Sequence, residues 1–207
     1  MGTDWADWHR DYADPGSPLS RRLALVRSHI DSWLDRRPEP LLRVVSACAG
    51  QGHDLLGVLA GRADADRVQA RLIEYDPRNA AAARAGAAGL AGVEVLCADA
   101  GGFGSYAGAV PADLVLMAGV FGNVSDDDVR ATVAALPSLC APGATVIWTR
   151  TRRAPDLTPV IDGWFTAAGF VQRAFHAPDD VLFTVGVHEF TGAPRPLPAG
   201  GTMFRFR

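Results

Sequence analysis

Three short runs of this chain, Val44-Val45-Ser46-Ala47, Leu114-Val115-Leu116-Met117 and Thr145-Val146-Ile147-Trp148, are apolar almost from end to end. Strands covered on both faces read this way, whereas a strand with one wet face alternates. Helical patterns lie between them. Residues 17–37 carry Leu19, Leu23, Val26, Ile30 and Trp33-Leu34 at helical spacing, and Pro38 and Pro40 stop the run. Leu55, Leu56 and Leu59 share one face of a helix over 53–63, and an alanine-rich helix follows Pro77. Ser125 caps a helix whose first turn holds Asp126, Asp127 and Asp128, which suits the positive end of a helix dipole. A last helix covers 157–169.

Alternation of this kind predicts an α/β fold, a doubly wound and mostly parallel sheet with helices on both faces. The final strand patterns, 170–177 and 182–190, lie too close for a helical crossover and are expected to pair antiparallel. Five parallel strands and this hairpin make a seven-stranded sheet. Residues 1–40 read as an N-terminal helical cap or lid, 41–192 as the core and 193–207 as a Pro/Gly-rich tail, all in one structural domain. The tail ends in an alternating Met203-Phe204-Arg205-Phe206-Arg207, expected to form an extra edge strand that pairs a homodimer, with partial disorder as the alternative.

Composition narrows the partners. At 207 residues, 48% apolar and 21% charged, the chain suits one soluble domain with a sizeable core. A net charge of −3 without a long basic run argues against nucleic acid or an anionic membrane. No run is long enough to span a bilayer, and the acidic, aromatic start is unlike a signal peptide. Ala6 stands where a myristoylation pattern needs Ser or Thr. Cys48, Cys97 and Cys140 are isolated in apolar surroundings, which reads as buried free thiols of a reducing cytoplasm and gives no zinc spacing.

In a doubly wound sheet, ligands sit beyond the carboxyl ends of the strands. Four features fall there. Gly50 and Gly52 open the turn after the first strand, where glycine permits positive φ and close backbone approach; a generic strand-to-helix turn is the alternative. Glu74 ends the second strand 22 residues past Gly52, in line with the ~20-residue interval from a glycine loop to a ribose-binding acid. Asp76-Pro77 reads instead as a turn or helix start. Asp99 follows the third strand and either bonds an adenine amino group or begins an Asx turn. After the fourth strand, Ala118 and Gly119 are small enough to lie beneath a ligand, and Asn123 either bonds a ligand or caps the next helix.

In order and spacing these features resemble the class I S-adenosylmethionine-dependent methyltransferases. "RVVSACAGQGHDLL" is similar to that family's first motif, "RLIEYDP" to its second, "EVLCADA" to its third and "ADLVLMAGVFGNV" to the segment after its fourth strand. "LCAPGATVIWT" resembles the entry to its fifth strand, with Pro142-Gly143 as the turn. The resemblance covers residues 42–190 and implies the strand order 3-2-1-4-5-7-6. It also implies S-adenosylmethionine as methyl donor and S-adenosylhomocysteine as product. The implied contacts are Cys48, Ala49, Gly50, Gly52, Glu74, Tyr75, Asp99, Ala100, Ala118 and Gly119, with Tyr12 resembling a tyrosine that reaches the cofactor in some relatives.

Two positions depart from the family pattern. The usual acid at the end of the first strand falls on Ser46, and the usual first glycine on Cys48. The methionine amino group is then left to backbone carbonyls or to Asp54. Cys48 is either a packed thiol or one activated by the helix start. His53 either touches the cofactor carboxylate or faces solvent. A dinucleotide-binding reductase is the rival reading, but its G-x-G-x-x-G/A fingerprint would put Leu55 at the last position.

Methyl transfer from a sulfonium needs the acceptor held in line at ~3–3.5 Å. A general base is required only when the acceptor keeps its proton near neutral pH. Trp5, Trp8 and His9 precede the sheet and could form an aromatic acceptor wall, with His9 as a candidate base; docking of the terminus is the alternative. Asn123 is a further substrate candidate, and His188 reads as a surface or edge residue. No Pro-Pro-aromatic sequence follows the fourth strand, which disfavours methylation of nucleic-acid bases. Asp126, Asp127 and Asp128 point in different directions on a helix, so no metal site is expected. The expectation is a small-molecule O-, N- or C-methyltransferase of specialised metabolism, with a non-catalytic S-adenosylmethionine-binding protein as the alternative.

Overall fold

The computed structural model describes residue 14 and residues 16–206. Trp5, Trp8, His9 and Tyr12 lie outside the described residues. Helix α1, Pro18–Asp35, starts where Ser17 Oγ accepts the N–H of Ser20. Then come β1 (Leu42–Ala47), α2 (Leu55–Leu59), β2 (Val68–Glu74), α3 (Pro77–Gly86), β3 (Val93–Cys97) and β4 (Ala112–Met117). After these follow α4 (Asp126–Ala135), β5 (Cys140–Thr151), α5 (Thr158–Ala167), β6 (Phe170–His176) and β7 (Phe183–Phe190). The sheet order is β3-β2-β1-β4-β5-β7-β6, as expected. β1 to β5 run parallel, and β7 lies antiparallel between β5 and β6.

Both faces of the sheet are covered. On one, Val26, Ile30 and Trp33 of α1 and Leu55 and Leu59 of α2 pack on Val44, Leu72 and Leu114. On the other, Val129 and Val133 of α4 and Ile161 and Phe165 of α5 pack on Val45, Val115 and Val146. Two-sided burial explains the unbroken apolar runs in the central strands. Gly143 takes φ +73°, so the expected Pro142-Gly143 turn is a kink inside β5, where its register against β4 shifts.

Four expectations need correction. Helix α2 has five residues, not the eleven of 53–63; Ala60 donates to the carbonyl four residues back, and Gly61 and Arg62 only to carbonyls three residues back. The tail adds no edge strand. It folds back over the loop after β3, making one bridge, Gly102 to Thr202, and a 2.7 Å bond from Met203 N–H to the Gly101 carbonyl. Met203 and Phe204 are buried in the core on that face. The β3–β4 connection supplies only a short 3-10 turn there, Phe103–Tyr106, so the tail fills the space a crossover helix would cover.

Cys97 is exposed, whereas Cys140 is buried and Cys48 half-buried. Finally, His188 is not a surface residue but fully buried. β7 is an inner strand, and the Phe165 ring of α5 stacks on the imidazole with centroids 4.1 Å apart. The Trp148 indole N–H can only donate, and it meets His188 Nδ1 at 3.1 Å. His188 is therefore the Nε2–H tautomer, and Nε2 donates to Asp162 Oδ1 at 3.0 Å.

Burial lowers the His188 pKa against the smaller opposing effect of Asp162. His29 of α1 meets His176 of β6, with their Nε2 atoms 2.8 Å apart, and its pKa is lowered by burial, then by His176 and Arg36. Above the usual imidazole pKa of about 6.5, both histidines are neutral in folded and unfolded chains. Below it, the unfolded chain binds protons that the folded chain refuses, so stability falls toward the lowered folded pKa. Urea midpoints are expected to drop between pH 7 and 5.5, and His29→Gln should reduce that drop. A flat profile would contradict two neutral imidazoles, His188 buried and His29 half-buried.

Candidate functional site

A cavity of about 860 Å³ opens at the carboxyl ends of β1 to β4. Cavities that hold small ligands span ~300–1,000 Å³, so this one lies toward the roomy end of that range. The turn after β1 forms its floor. Cys48, Gly50 and Gly52 all take positive φ, at +52°, +57° and +75°. For the glycines this conformation carries no steric penalty. For Cys48 it costs on the order of 1–2 kcal/mol, because a left-handed residue crowds its Cβ against the backbone.

Glu74 ties this turn to the next. Its Oε2 accepts the Gly50 N–H at 2.8 Å, and Oε1 accepts the Asp76 N–H at 2.8 Å. The side chain is 8% exposed and faces the cavity. A carboxylate has about four acceptor sites. Two serve the chain, which leaves capacity for a pair of ligand hydroxyls. Asp76 caps α3 through the Arg78 N–H and pairs with the Arg78 guanidinium, matching its reading as a helix start.

Asp99 makes the turn expected of it. Its Oδ1 accepts the Gly101 N–H at 2.8 Å, closing an Asx turn, and the residue also lines the cavity. Ala49, Tyr75, Ala100, Ala118 and Gly119 line it too, Tyr75 with 78% of its surface exposed. Asn123 is in the wall but does not cap α4; its Nδ2 donates to the Gly119 carbonyl at 2.7 Å, and Ser125 makes the cap. Gly52 does not line the cavity; a Cβ there would press on Leu56 and Leu72. Ser46 is buried within β1, away from the cavity.

The Cys48 thiol is pushed well up by burial, then by the nearby Glu74 and Asp99 carboxylates. A thiol held protonated is a poor nucleophile, so the activated reading of Cys48 has no support. Cys140 is also pushed up by burial. With a chromogenic disulfide at pH 8, Cys97 is expected to react first, Cys48 slowly because its thiol stays protonated, and Cys140 only on unfolding. Peptide mapping that found label first on Cys48 would contradict this.

Several wall residues escaped the sequence reading. Arg22, Leu23 and Val26 come from α1, Asn79 from α3, and Arg205 and Phe206 from the tail. Leu23 belonged to an apolar helical stripe and gave no sign of facing a ligand. Nothing local marks the tail as part of the wall, because its placement depends on the long-range bonds to Gly101 and Gly102. Among the described residues, no group of three or more His, Cys, Asp or Glu could hold a metal ion. None of their helices is long and apolar enough to cross a membrane.

No family model and no curated protein sequence matches this chain. Solved structures do. Magnesium protoporphyrin IX methyltransferase from Synechocystis, with S-adenosylmethionine bound, has a TM-score of 0.68 at 15% identity, over 91% of this chain and 92% of that one. The 1,6-didemethyltoxoflavin-N1-methyltransferase of Burkholderia thailandensis, bound to 1,6-didemethyltoxoflavin and S-adenosylhomocysteine, has 0.64 at 15%, over 91% and 87%. A possible exported protein from Bordetella parapertussis has 0.64 at 20%, over 92% and 80%. With the sheet order β3-β2-β1-β4-β5-β7-β6, these likenesses show the fold of the class I S-adenosylmethionine-dependent methyltransferases.

Proposed function

We propose that this protein binds S-adenosylmethionine and transfers its methyl group to a small molecule, releasing S-adenosylhomocysteine. The observation that carries this reading is Glu74. Its buried carboxylate braces the glycine turn after β1 and still faces the cavity, with acceptor capacity to spare. The cavity fits the cofactor in further respects. Asp99 stands beyond β3, small residues Ala118 and Gly119 lie beyond β4, and the walls leave room for an acceptor.

The bound cofactor supplies an electrophilic methyl on a sulfonium. The chain's part is to hold the acceptor in line and keep water out, which can provide much of the acceleration without a base. Asn123, in the wall beside Gly119, is a polar group suited to orienting an acceptor. Trp5, Trp8 and His9 remain candidates for the acceptor side, with Tyr12 for the cofactor. Two of the neighbours are named for small-molecule substrates, which supports an acceptor of that class.

Calorimetric titration with S-adenosylmethionine and S-adenosylhomocysteine tests the reading directly. Binding of both in the micromolar range is expected. Failure of either to bind at millimolar concentration would overturn it. Methyl transfer in a screen of small-molecule acceptors would separate an enzyme from a protein that only senses the cofactor.

A further inference from the structure

The C-terminal tail enters the cavity wall from a fixed base. Met203 and Phe204 are buried in the core. Met203 N–H donates to the Gly101 carbonyl at 2.7 Å, and Thr132 Oγ1 of α4 donates to the Met203 carbonyl at 3.4 Å. Residue 101 must be small for this contact, since a Cβ there would lie 2.1 Å from the Phe204 carbonyl oxygen. The tail thus crosses from the loop after β3 to the start of α4, where the Arg205 N–H faces Asp128 Oδ2 at 3.5 Å. Its next two residues, Arg205 and Phe206, line the cavity.

Charge distinguishes Arg205 from the other cations of the cavity. Asp54, Glu74, Asp76 and Asp99 make the wall rich in carboxylates. Arg78 pairs with Asp76, and the charge of Arg22 acts on Asp54. The Arg205 side chain makes no hydrogen bond or ion pair with a described residue. S-adenosylmethionine carries an ammonium, a sulfonium and a carboxylate, a net positive charge, so a carboxylate-rich wall suits it without Arg205. An anionic second ligand does need a cation. A guanidinium supplies one, as a planar fork that grips a carboxylate through two parallel hydrogen bonds.

Phe206 adds an aromatic surface beside this charge. It is 41% exposed, and its ring leans on the buried Phe204 ring with centroids 6.1 Å apart. Flat rings pack well against such a surface. We propose that Arg205 and Phe206 select the methyl acceptor, taking a flat aromatic compound that bears a carboxylate. The guanidinium binds the carboxylate, and the phenyl ring packs on the acceptor's ring. This rests on the reading of the cavity as an S-adenosylmethionine site. The anchored backbone at Met203 and Phe204 sets the place of both residues before the acceptor arrives, so less ordering is left to the binding step. Asn123, three residues before the start of α4, borders the same flank of the cavity.

The test uses the full chain saturated with S-adenosylhomocysteine and two pairs of probes, benzoate with benzamide and salicylate with salicylamide, titrated by calorimetry. In the wild type each carboxylate is expected to bind about tenfold more tightly than its amide, the increment of a charged hydrogen bond. Arg205→Gln should remove that preference and leave S-adenosylhomocysteine affinity within about twofold. Phe206→Ala should weaken carboxylate and amide alike. Both side chains are exposed, so neither change threatens folding. Wild-type protein that binds S-adenosylhomocysteine but none of the probes, or carboxylate and amide equally, would overturn the proposal. So would a preference that survives Arg205→Gln, or an equal loss of S-adenosylhomocysteine in that variant, which would give Arg205 to the cofactor. A wild-type protein that does not bind S-adenosylhomocysteine would instead overturn the function reading itself.

Discussion

Glu74→Ala is expected to weaken S-adenosylhomocysteine binding at least tenfold and to lower fold stability at the same time. The two effects have separate causes. Binding falls because hydrogen bonds from ligand hydroxyls to a charged acceptor contribute about 1.5–3 kcal/mol each. Stability falls because the Gly50 and Asp76 N–H groups lose their acceptor. A buried donor left unsatisfied costs about 1–3 kcal/mol, and water entering through the open cavity recovers part of that. A net loss of about 1–3 kcal/mol follows. Glu74→Gln keeps one carbonyl oxygen but turns an NH₂ toward one of the two donors, so it should fall between. Calorimetry reads the first effect and urea denaturation the second. Wild-type affinity in Glu74→Ala would refute the role of this carboxylate in the site.

Gly186→Ala should be the more damaging change, although it lies outside the cavity. Gly186 sits on β7 directly opposite Trp148 of β5. A Cβ there would run into the Trp148 indole, at Nε1, Cε2 and Cζ2. The indole has nowhere to go. It is fully buried, its N–H is held by His188 Nδ1, and it stacks on Phe165 at 5.9 Å and 14°. Overpacking alone costs about 1–3 kcal/mol, and moving the ring would also break the bond to His188. The expected loss is about 2–5 kcal/mol, a large fraction of the 5–15 kcal/mol that typically holds a domain folded. Trp148→Leu in the same chain should recover part of it, because the smaller side chain makes room, and a double-mutant cycle measures that coupling. Equal urea midpoints for Gly186→Ala and the wild type would show that the ring can yield after all.

Much of the scaffold was legible because it is written in local periodicity. Residues buried on both faces of a strand, or on one face of a helix, repeat over a few positions, so the β1 to β5 runs and the helices beside them could be read. The short interval between 177 and 182 forbade a crossover and required the hairpin. Glu74 was legible for a related reason: its distance from the glycine turn is set by the length of one helix and one strand. The helix starts at Asp76 and Ser125 are also local, since each side chain bonds an N–H two or three residues on.

What the sequence could not reveal depends on partners far away in the chain. His188 read as exposed because alternation along β7 says nothing of α5, whose Phe165 covers it. The alternating tail looked like a strand, but Met203 and Phe204 found a face that the short β3–β4 connection leaves bare. No neighbour of Asn123 in the chain announces Arg205, which is brought to the same cavity only because the tail folds back over the loop after β3. By itself, then, the sequence determined the order and type of the elements, the family of folds they can build, and the acid at the end of β2. The tertiary structure alone decided which groups face the cavity, which histidine is dry and where the tail lies. The physical reason is that local patterns report burial, whereas the identity of the covering group is settled only when distant segments pack.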